Sequence, residues 1–131
     1  MNNLDATKHP VLDVAADGSV TGAPRAILRA EGLAMLVAGV VGYALIGASW
    51  PMFAALFLVP DLAFLGYLAG PRAGGWAYNA THSLIGPALL AALSPSLALV
   101  WVAHVGFDRA LGYGLKYGQF GATHLGRIGR R

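Results

Sequence analysis

The chain has 131 residues, of which 56% are hydrophobic and only 11% are charged. Soluble domains carry about 25% charged residues, so this composition excludes an ordinary soluble globular domain and favours a membrane protein. The chain contains no cysteine, which excludes disulfides and thiolate chemistry, and its formal net charge is +3.

Four long apolar blocks follow a polar N-terminal segment of residues 1–25. Each block is about 18–24 residues long, and about 20 helical residues suffice to cross a bilayer core of about 30 Å. The blocks therefore predict four transmembrane helices, at about residues 26–48, 51–70, 75–93 and 95–115.

Short connections between the blocks predict antiparallel neighbours, so the expected fold is an all-α integral membrane four-helix bundle over residues 26–117. Residues 118–131 form a basic, glycine-rich C-terminal tail in this interpretation. Within the second span, Pro60 lacks a backbone N–H group. It should therefore kink the helix and free a carbonyl near mid-membrane.

The distribution of cations predicts the orientation of the bundle. With four spans, both termini and the connection between spans two and three share one side of the membrane. Eight of the nine lysines and arginines fall on that side or at its boundary: Lys8, Arg25, Arg29, Arg72, Lys116, Arg127, Arg130 and Arg131. The opposite connections, at residues 49–51 and 94–96, carry no charge. The positive-inside rule then places both termini in the cytoplasm and explains the positive charge without a nucleic-acid partner.

Four acidic or imidazole side chains lie well inside the predicted spans, where each charge costs at least about 2.5 kcal/mol to hold. They are Asp61, His82, His104 and Asp108. The helical rise of 1.5 Å per residue puts the first and third near the midplane and the other two nearer the cytoplasm. His104 and Asp108 also share one helix face, because they are four residues apart. All four can therefore converge in the inner half of the bilayer.

Two imidazoles and two carboxylates at similar depth are a reasonable donor set for a divalent metal such as Zn. The same groups can instead hydrogen-bond to one another, with Arg109 as an ion-pair partner, and stabilise the bundle without a metal. Titration of Asp61 and His104 could also carry protons or ions. Spacing alone leaves these three interpretations open.

Further residues are candidates for supporting or anion-binding roles: Asn79, Glu31, Arg109, Lys116, Tyr113, Tyr117 and His124. The asparagine lies three residues before His82, on the same helix face. The cations lie near the inner head-group level and could hold an anionic group. The tyrosines fall where an aromatic belt is expected, and the histidine lies in the C-terminal tail.

A series of motifs extends over roughly residues 26–129. It comprises Arg29-Ala-Glu31-Gly32, Pro60-Asp61-Leu62, Leu65-Gly66-Tyr67-Leu-Ala-Gly70-Pro71, Tyr78-Asn79, His82, His104-Val-Gly106-Phe107-Asp108-Arg109, Leu111-Gly112-Tyr113-Gly114-Leu115-Lys116-Tyr117 and Thr123-His124-Leu125-Gly126-Arg127. In this order the motifs resemble a widespread family of small bacterial membrane proteins catalogued as domain of unknown function 4260. The resemblance implies four helices in the bacterial inner (plasma) membrane, with the lipid bilayer as the main partner, and implies no particular activity.

A looser similarity rests on Pro60-Asp61-Leu62, Thr81-His82-Ser83 and His104-x-x-x-Asp108. Elements of this kind occur in the same order in membrane-bound metal-dependent hydrolases of the inner-membrane type. The similarity implies that the two aspartates and two histidines are metal ligands. Ala63 stands where those enzymes have a second aspartate, and Asn79-Ala80 where they have His-Arg, so two potential ligands are missing.

Three functions are therefore compatible with the sequence. The first is a metal-dependent, hydrolase-like site that opens to the cytoplasm and acts on a lipid-linked or phosphate-bearing substrate. The second is a non-enzymatic protein, assembled as a homo-oligomer, in which the polar cluster holds the helices together. The third is a proton-coupled transporter, which would also require an oligomer because one chain is small for alternating access.

Overall fold

Apolar helices make up most of the computed structural model, which describes residues 17–118 and 120–127. The helical elements are α1 (Gly22–Ile46), α2 (Trp50–Phe57), a 3₁₀ helix (Val59–Ala69), α3 (Pro71–His82), α4 (Ile85–Ala91) and α5 (Pro95–Leu111). Two short antiparallel strands follow, β1 (Ala122–Thr123) and β2 (Gly126–Arg127). The predicted all-α class is confirmed, and most of the predicted N-terminal tail lies outside the described residues.

Two helical stretches are long and apolar enough to cross a membrane, Gly22–Ile46 and Trp50–Ala69. Only 17% and 6% of their most apolar windows are buried within the protein. Large side chains such as Leu45 and Leu68 are more than four-fifths exposed, at 83% and 88%. A surface this apolar is suited to lipid rather than to water, which supports membrane association.

The second and third apolar blocks are both interrupted near their middle. α2 ends at Phe57, and the chain continues through Pro60 as a 3₁₀ helix. α3 ends at His82, where Ser83 takes an extended conformation with ψ of 162°, and α4 starts two residues later. Pro87 explains this second break, because its ring would clash with the carbonyl four residues earlier, that of Ser83. The kink at Pro60 was expected from the sequence, whereas the break before Pro87 was not.

α1 packs closely against α5 because glycines remove side chains from the contact. A Cβ atom added at Gly106 would lie 2.5 Å from the backbone nitrogen of Leu36. One added at Gly32 would lie 2.6 Å from Cβ of Arg109. Small residues that let two helix backbones approach in this way are typical of helix pairs in membranes.

The segment after α5 folds back as a cap, here called the C-terminal cap (residues 112–118 and 120–127). Arg25 Nε, at the start of α1, donates a hydrogen bond to the carbonyl of Leu125 at 2.6 Å. The backbone N–H of Val20 donates to the carbonyl of His124 at 2.8 Å. Leu125 is fully buried. The cap therefore packs against the beginning of α1 and covers one end of the helices.

Candidate metal centre

Three helical elements bring Asp61, His82, His104 and Asp108 together. Asp61 lies in the first turn of the 3₁₀ helix, and His82 is the last residue of α3. His104 and Asp108 lie one turn apart on α5. One ligand atom from each residue can be chosen so that all four atoms lie within 4.8 Å of one another.

Five of the six distances between these atoms are close to the edges of a tetrahedron, and the sixth, between the two aspartates, is within 4.8 Å. His82 Nε2 lies 3.3 Å from Asp61 Oδ1, 3.3 Å from Asp108 Oδ2 and 3.1 Å from His104 Nε2. His104 Nε2 lies 3.3 Å from Asp61 Oδ1 and 3.6 Å from Asp108 Oδ2. A tetrahedral zinc ion with bonds of about 2.0–2.1 Å has ligand–ligand edges of roughly 3.3–3.4 Å. The donor set and its dimensions therefore fit one tetrahedral divalent ion.

Hydrogen bonds orient the ring of His82 so that Nε2 faces the cluster. Its Nδ1 lies 2.9 Å from the carbonyl oxygen of Tyr78, which can only accept. A proton on Nδ1 satisfies this contact, and Nε2 then presents a lone pair to the other three ligand atoms; the Thr81 hydroxyl oxygen also lies 2.8 Å from Nδ1. A histidine whose other nitrogen donates to a carbonyl is the usual arrangement of a metal ligand.

The cluster is buried on the histidine side and more open on the aspartate side. His82 and His104 are 3% and 1% exposed, whereas the side chains of Asp108 and Asp61 are 15% and 35% exposed. His104 Nδ1 is buried and has no hydrogen-bond partner among the described residues. All of the polar contacts described for this ring are made by Nε2. The cost of burying the ring is therefore offset by the contacts of Nε2 within the cluster.

The two helix breaks position residues of the cluster. The backbone carbonyls at the breaks accept hydrogen bonds from side chains. The Thr81 hydroxyl donates to the carbonyl of Pro60 at 3.1 Å, which joins the two breaks. Trp101 Nε1, on α5, donates to the carbonyl of Thr81. In an apolar environment, carbonyls freed by a helix break need partners of this kind. The two breaks thereby hold Asp61 and His82 at the same level as His104.

Tyr78, which the sequence singled out within the motif Tyr78-Asn79, contacts two of the four cluster residues. Its hydroxyl donates to Asp108 Oδ2 at 3.3 Å. Its ring stacks on the ring of His82, with centroids 3.7 Å apart and an interplanar angle of 8°. The signal available in the sequence was the four-residue spacing of Tyr78 and His82, which puts both on one face of α3.

Lys116 lies in an aromatic cage formed by Phe64, Tyr67, Tyr78 and Phe120. Its Nζ is 4.1–5.4 Å from the four ring centroids and donates to the carbonyl of Phe120. The residue is only 4% exposed. Its ammonium group therefore faces the cage rather than an open anion-binding surface.

Asn79 joins α3 to the cap rather than to the cluster. Its side-chain amide donates to the carbonyl of Lys116 at 2.8 Å and accepts from the N–H of Lys116 at 2.6 Å.

The remaining predicted supporting residues lie away from the four ligand atoms. Glu31 is exposed on α1, Arg109 is partly buried on α5, and Tyr113 is partly buried in the cap. The Tyr117 hydroxyl donates to the carbonyl of Gly18 at 2.8 Å. His124 Nδ1 accepts from the N–H of Leu115 at 2.8 Å, and burial lowers the pKa of His124. The hydrogen bonds of Tyr117 and His124 thus serve the cap.

Fold and cluster together define a helical protein with two stretches that could cross a membrane and a partly buried His/Asp cluster. The chain belongs to the family described as Domain of unknown function (DUF4260), which it matches over residues 25–128. The family predicted from the sequence motifs is thereby confirmed. No curated protein and no solved structure matches the chain, so the similarity to metal-dependent hydrolases stays a prediction.

Proposed function

We propose that the protein is a multi-pass membrane metalloprotein that binds one divalent ion of the zinc type through Asp61, His82, His104 and Asp108. The observation that carries the proposal is the near-tetrahedral spacing of the four ligand atoms, 3.1–3.6 Å for the five distances given above.

Charge balance favours a cation at the centre of the cluster. Two carboxylates and the lone pair of His82 Nε2 converge on one point, and a divalent ion there would neutralise both carboxylates and accept the lone pair. A divalent ion with two carboxylates and two neutral imidazoles has no net charge. A neutral complex is the form least costly to hold in a low-dielectric environment.

The proposed topology has four spans. The first is α1, the second is α2 with the 3₁₀ helix, the third is α3 with α4, and the fourth is α5. At 1.5 Å per residue, residues 71–91 and 95–111 are about 31 Å and 26 Å long, close to the thickness of the bilayer core. The cation distribution favours cytoplasmic termini, and location in a bacterial inner membrane stays a prediction.

A hydrolase-like activity on a lipid-linked ester or phosphoester is the chemistry that this site supports best. Catalytic zinc sites keep a coordination position for water, whose pKa the metal lowers. Asp61 is the most exposed of the four ligands and lies in the 3₁₀ helix, so it is the ligand that we expect to exchange. An apolar groove of about 280 Å³ beside both helix breaks, lined in part by Pro60, Thr81 and Trp101, is suited to an alkyl chain.

A structural metal is the second candidate, because four protein ligands in a closed tetrahedron are typical of structural zinc sites. Such a metal would hold the 3₁₀ helix, α3 and α5 together without turnover. The assembly of this form, including the predicted homo-oligomer, stays a prediction.

Elemental analysis of the detergent-purified protein tests metal binding. We expect about one zinc per chain in the wild type and a loss of most of it in His82→Ala and His104→Ala. His9→Ala is the control, since it removes an imidazole other than the two proposed ligands. A wild-type protein without stoichiometric metal, even after addition of Zn²⁺, would refute the proposal.

The two candidate roles differ in turnover. Zinc-loaded protein in micelles should hydrolyse a long-chain p-nitrophenyl ester or a phosphodiester analogue, and His82→Ala should abolish this activity. If loaded protein shows no turnover above free zinc, while removal of zinc lowers Tm, the metal is structural.

A further inference from the structure

The last turns of α3 contact the metal centre and the C-terminal cap at the same time. Tyr78 and His82 face the cluster, whereas Asn79 makes two hydrogen bonds to the backbone of Lys116. A displacement of this part of α3 would therefore move a metal ligand and a cap residue together.

The ring of Tyr78 contacts both His82 and Lys116. The imidazole of His82 stacks on the ring at 3.7 Å, and Lys116 Nζ lies 4.5 Å from the same ring centroid. Because the Tyr78 hydroxyl also contacts Asp108, one side chain touches two ligands and the cap lysine.

The cap is organised around Lys116. Its side chain donates to the carbonyl of Phe120, and its backbone pairs with Thr123. The next residue, Tyr117, donates its N–H to the carbonyl of Ala122 at 3.2 Å. If Lys116 were displaced, the contacts that fold residues 120–123 back onto the chain would therefore be lost.

We propose that Tyr78 and Asn79 couple the metal centre to the C-terminal cap, so that metal binding and cap closure strengthen each other. This inference rests on the proposed metal site and adds a form of regulation to it. A bound metal fixes His82 and Asp108, which fixes the Tyr78 ring and the cage for Lys116. By linkage, whatever opens the cap must weaken metal binding by the same factor by which metal loss favours opening.

Hydrogen exchange and zinc titration of the detergent-solubilised full-length protein test the coupling. In the wild type, Zn²⁺ should slow exchange of the backbone amides of Gly114, Leu115 and Lys116, which donate to Thr123, His124 and Asn79. Asn79→Ala touches no metal ligand, yet it should weaken zinc affinity roughly tenfold, within the usual range of coupling energies. Lys116→Met, which keeps the side-chain length, should weaken affinity in the same direction.

Arg72→Ala is the matched control, because Arg72 is exposed on α3 outside this chain of contacts. It should leave affinity and exchange unchanged. If wild-type protein binds zinc but exchange in the cap does not respond, the coupling is refuted and the metal site stands. If Asn79→Ala and Lys116→Met both fold and bind zinc as tightly as the wild type, the coupling is refuted as well. If the wild type does not bind zinc at all, the proposed function falls together with the coupling.

Discussion

The ammonium group of Lys116 illustrates how a single residue can be held far from its usual solvent environment. The four surrounding aromatic rings attract a cation, and the carbonyl of Phe120 accepts one of its protons. These contacts offset part of the cost of removing an ammonium group from water. Burial nevertheless lowers the pKa of Lys116 to about 8, and the Asp108 carboxylate opposes part of that shift.

This pKa predicts how the contribution of Lys116 to stability changes with pH. An unfolded chain keeps the lysine proton up to its ordinary pKa of 10.5, whereas the folded chain releases it near pH 8. Between these values the unfolded state binds more protons, so stability rises with pH. Thermal unfolding of the wild type and of Lys116→Met should therefore show the wild type gaining a few degrees of Tm relative to the variant from about pH 8 to 10.5. A Tm difference that stays constant or falls over this range would contradict the prediction.

That comparison removes the background of other titrating groups. Tyr67 and Tyr78 face the same cage, and both are present in the wild type and in the variant. Their own titration at high pH therefore contributes largely equally to both proteins. Far below pH 8 the lysine is charged in both folded and unfolded states, so the Tm difference should not change with pH there.

Among the helical elements, the pair α1 and α5 depends on the space left by glycine. A Cβ atom at Gly106 would approach the Gly32 carbonyl oxygen and the Leu36 nitrogen within 2.6 Å. Both are backbone atoms, so relief requires α1 to move as a whole. At Gly42 the nearest atom is a terminal methyl of Leu99 at 3.1 Å, which a small rotamer change can shift.

Gly106→Ala should therefore destabilise the protein by about 1–3 kcal/mol, because overpacking outweighs the gain in helix propensity of up to about 1 kcal/mol. Gly42→Ala, on the same interface, should be close to neutral. Thermal unfolding in one detergent measures both variants. Equal losses would mean that the helices are not in close backbone contact at Gly106.

The two helix breaks differed in how well the sequence predicted them. Pro60 sits in a long apolar block, so its missing N–H group gave a clear expectation of a kink. Pro87 lies only two residues after the start of α4, a position that tolerates proline in an ordinary helix. Its effect falls on Ser83, four residues upstream. Only the complete path of the chain shows that this break leaves His82 at the end of α3.

The four residues of the cluster could be predicted from the sequence, but their surroundings could not. Asp61, His82, His104 and Asp108 stood out because ionisable groups are rare inside long apolar blocks. Tyr78 and the aromatic cage of Lys116 did not stand out. Aromatic residues near a membrane boundary are common, and the sequence does not indicate which residues they contact. Contacts that join α3 to a segment more than thirty residues later depend on tertiary packing, which spacing along the chain does not encode.

At the scale of the whole molecule, the proposed topology can be tested without background labelling because the chain lacks cysteine. Ala48→Cys and Leu93→Cys would place single thiols in the connections expected to face the periplasm. Arg72→Cys would place one in the first turn of α3, at the end expected to face the cytoplasm, where Arg72 is exposed. The positive-inside rule and the four proposed spans require the first two on one side and the third on the other.

A membrane-impermeant maleimide should therefore label Ala48→Cys and Leu93→Cys in cells whose inner membrane is intact. Arg72→Cys should be labelled only after that membrane is permeabilised. Labelling of Arg72→Cys from outside would reverse the orientation, and labelling of all three would mean that the apolar helices do not cross the membrane. The outcome also bears on the metal centre, because four crossings with cytoplasmic termini put the cap and its lysine cage on the side where a cytoplasmic partner or substrate could reach them.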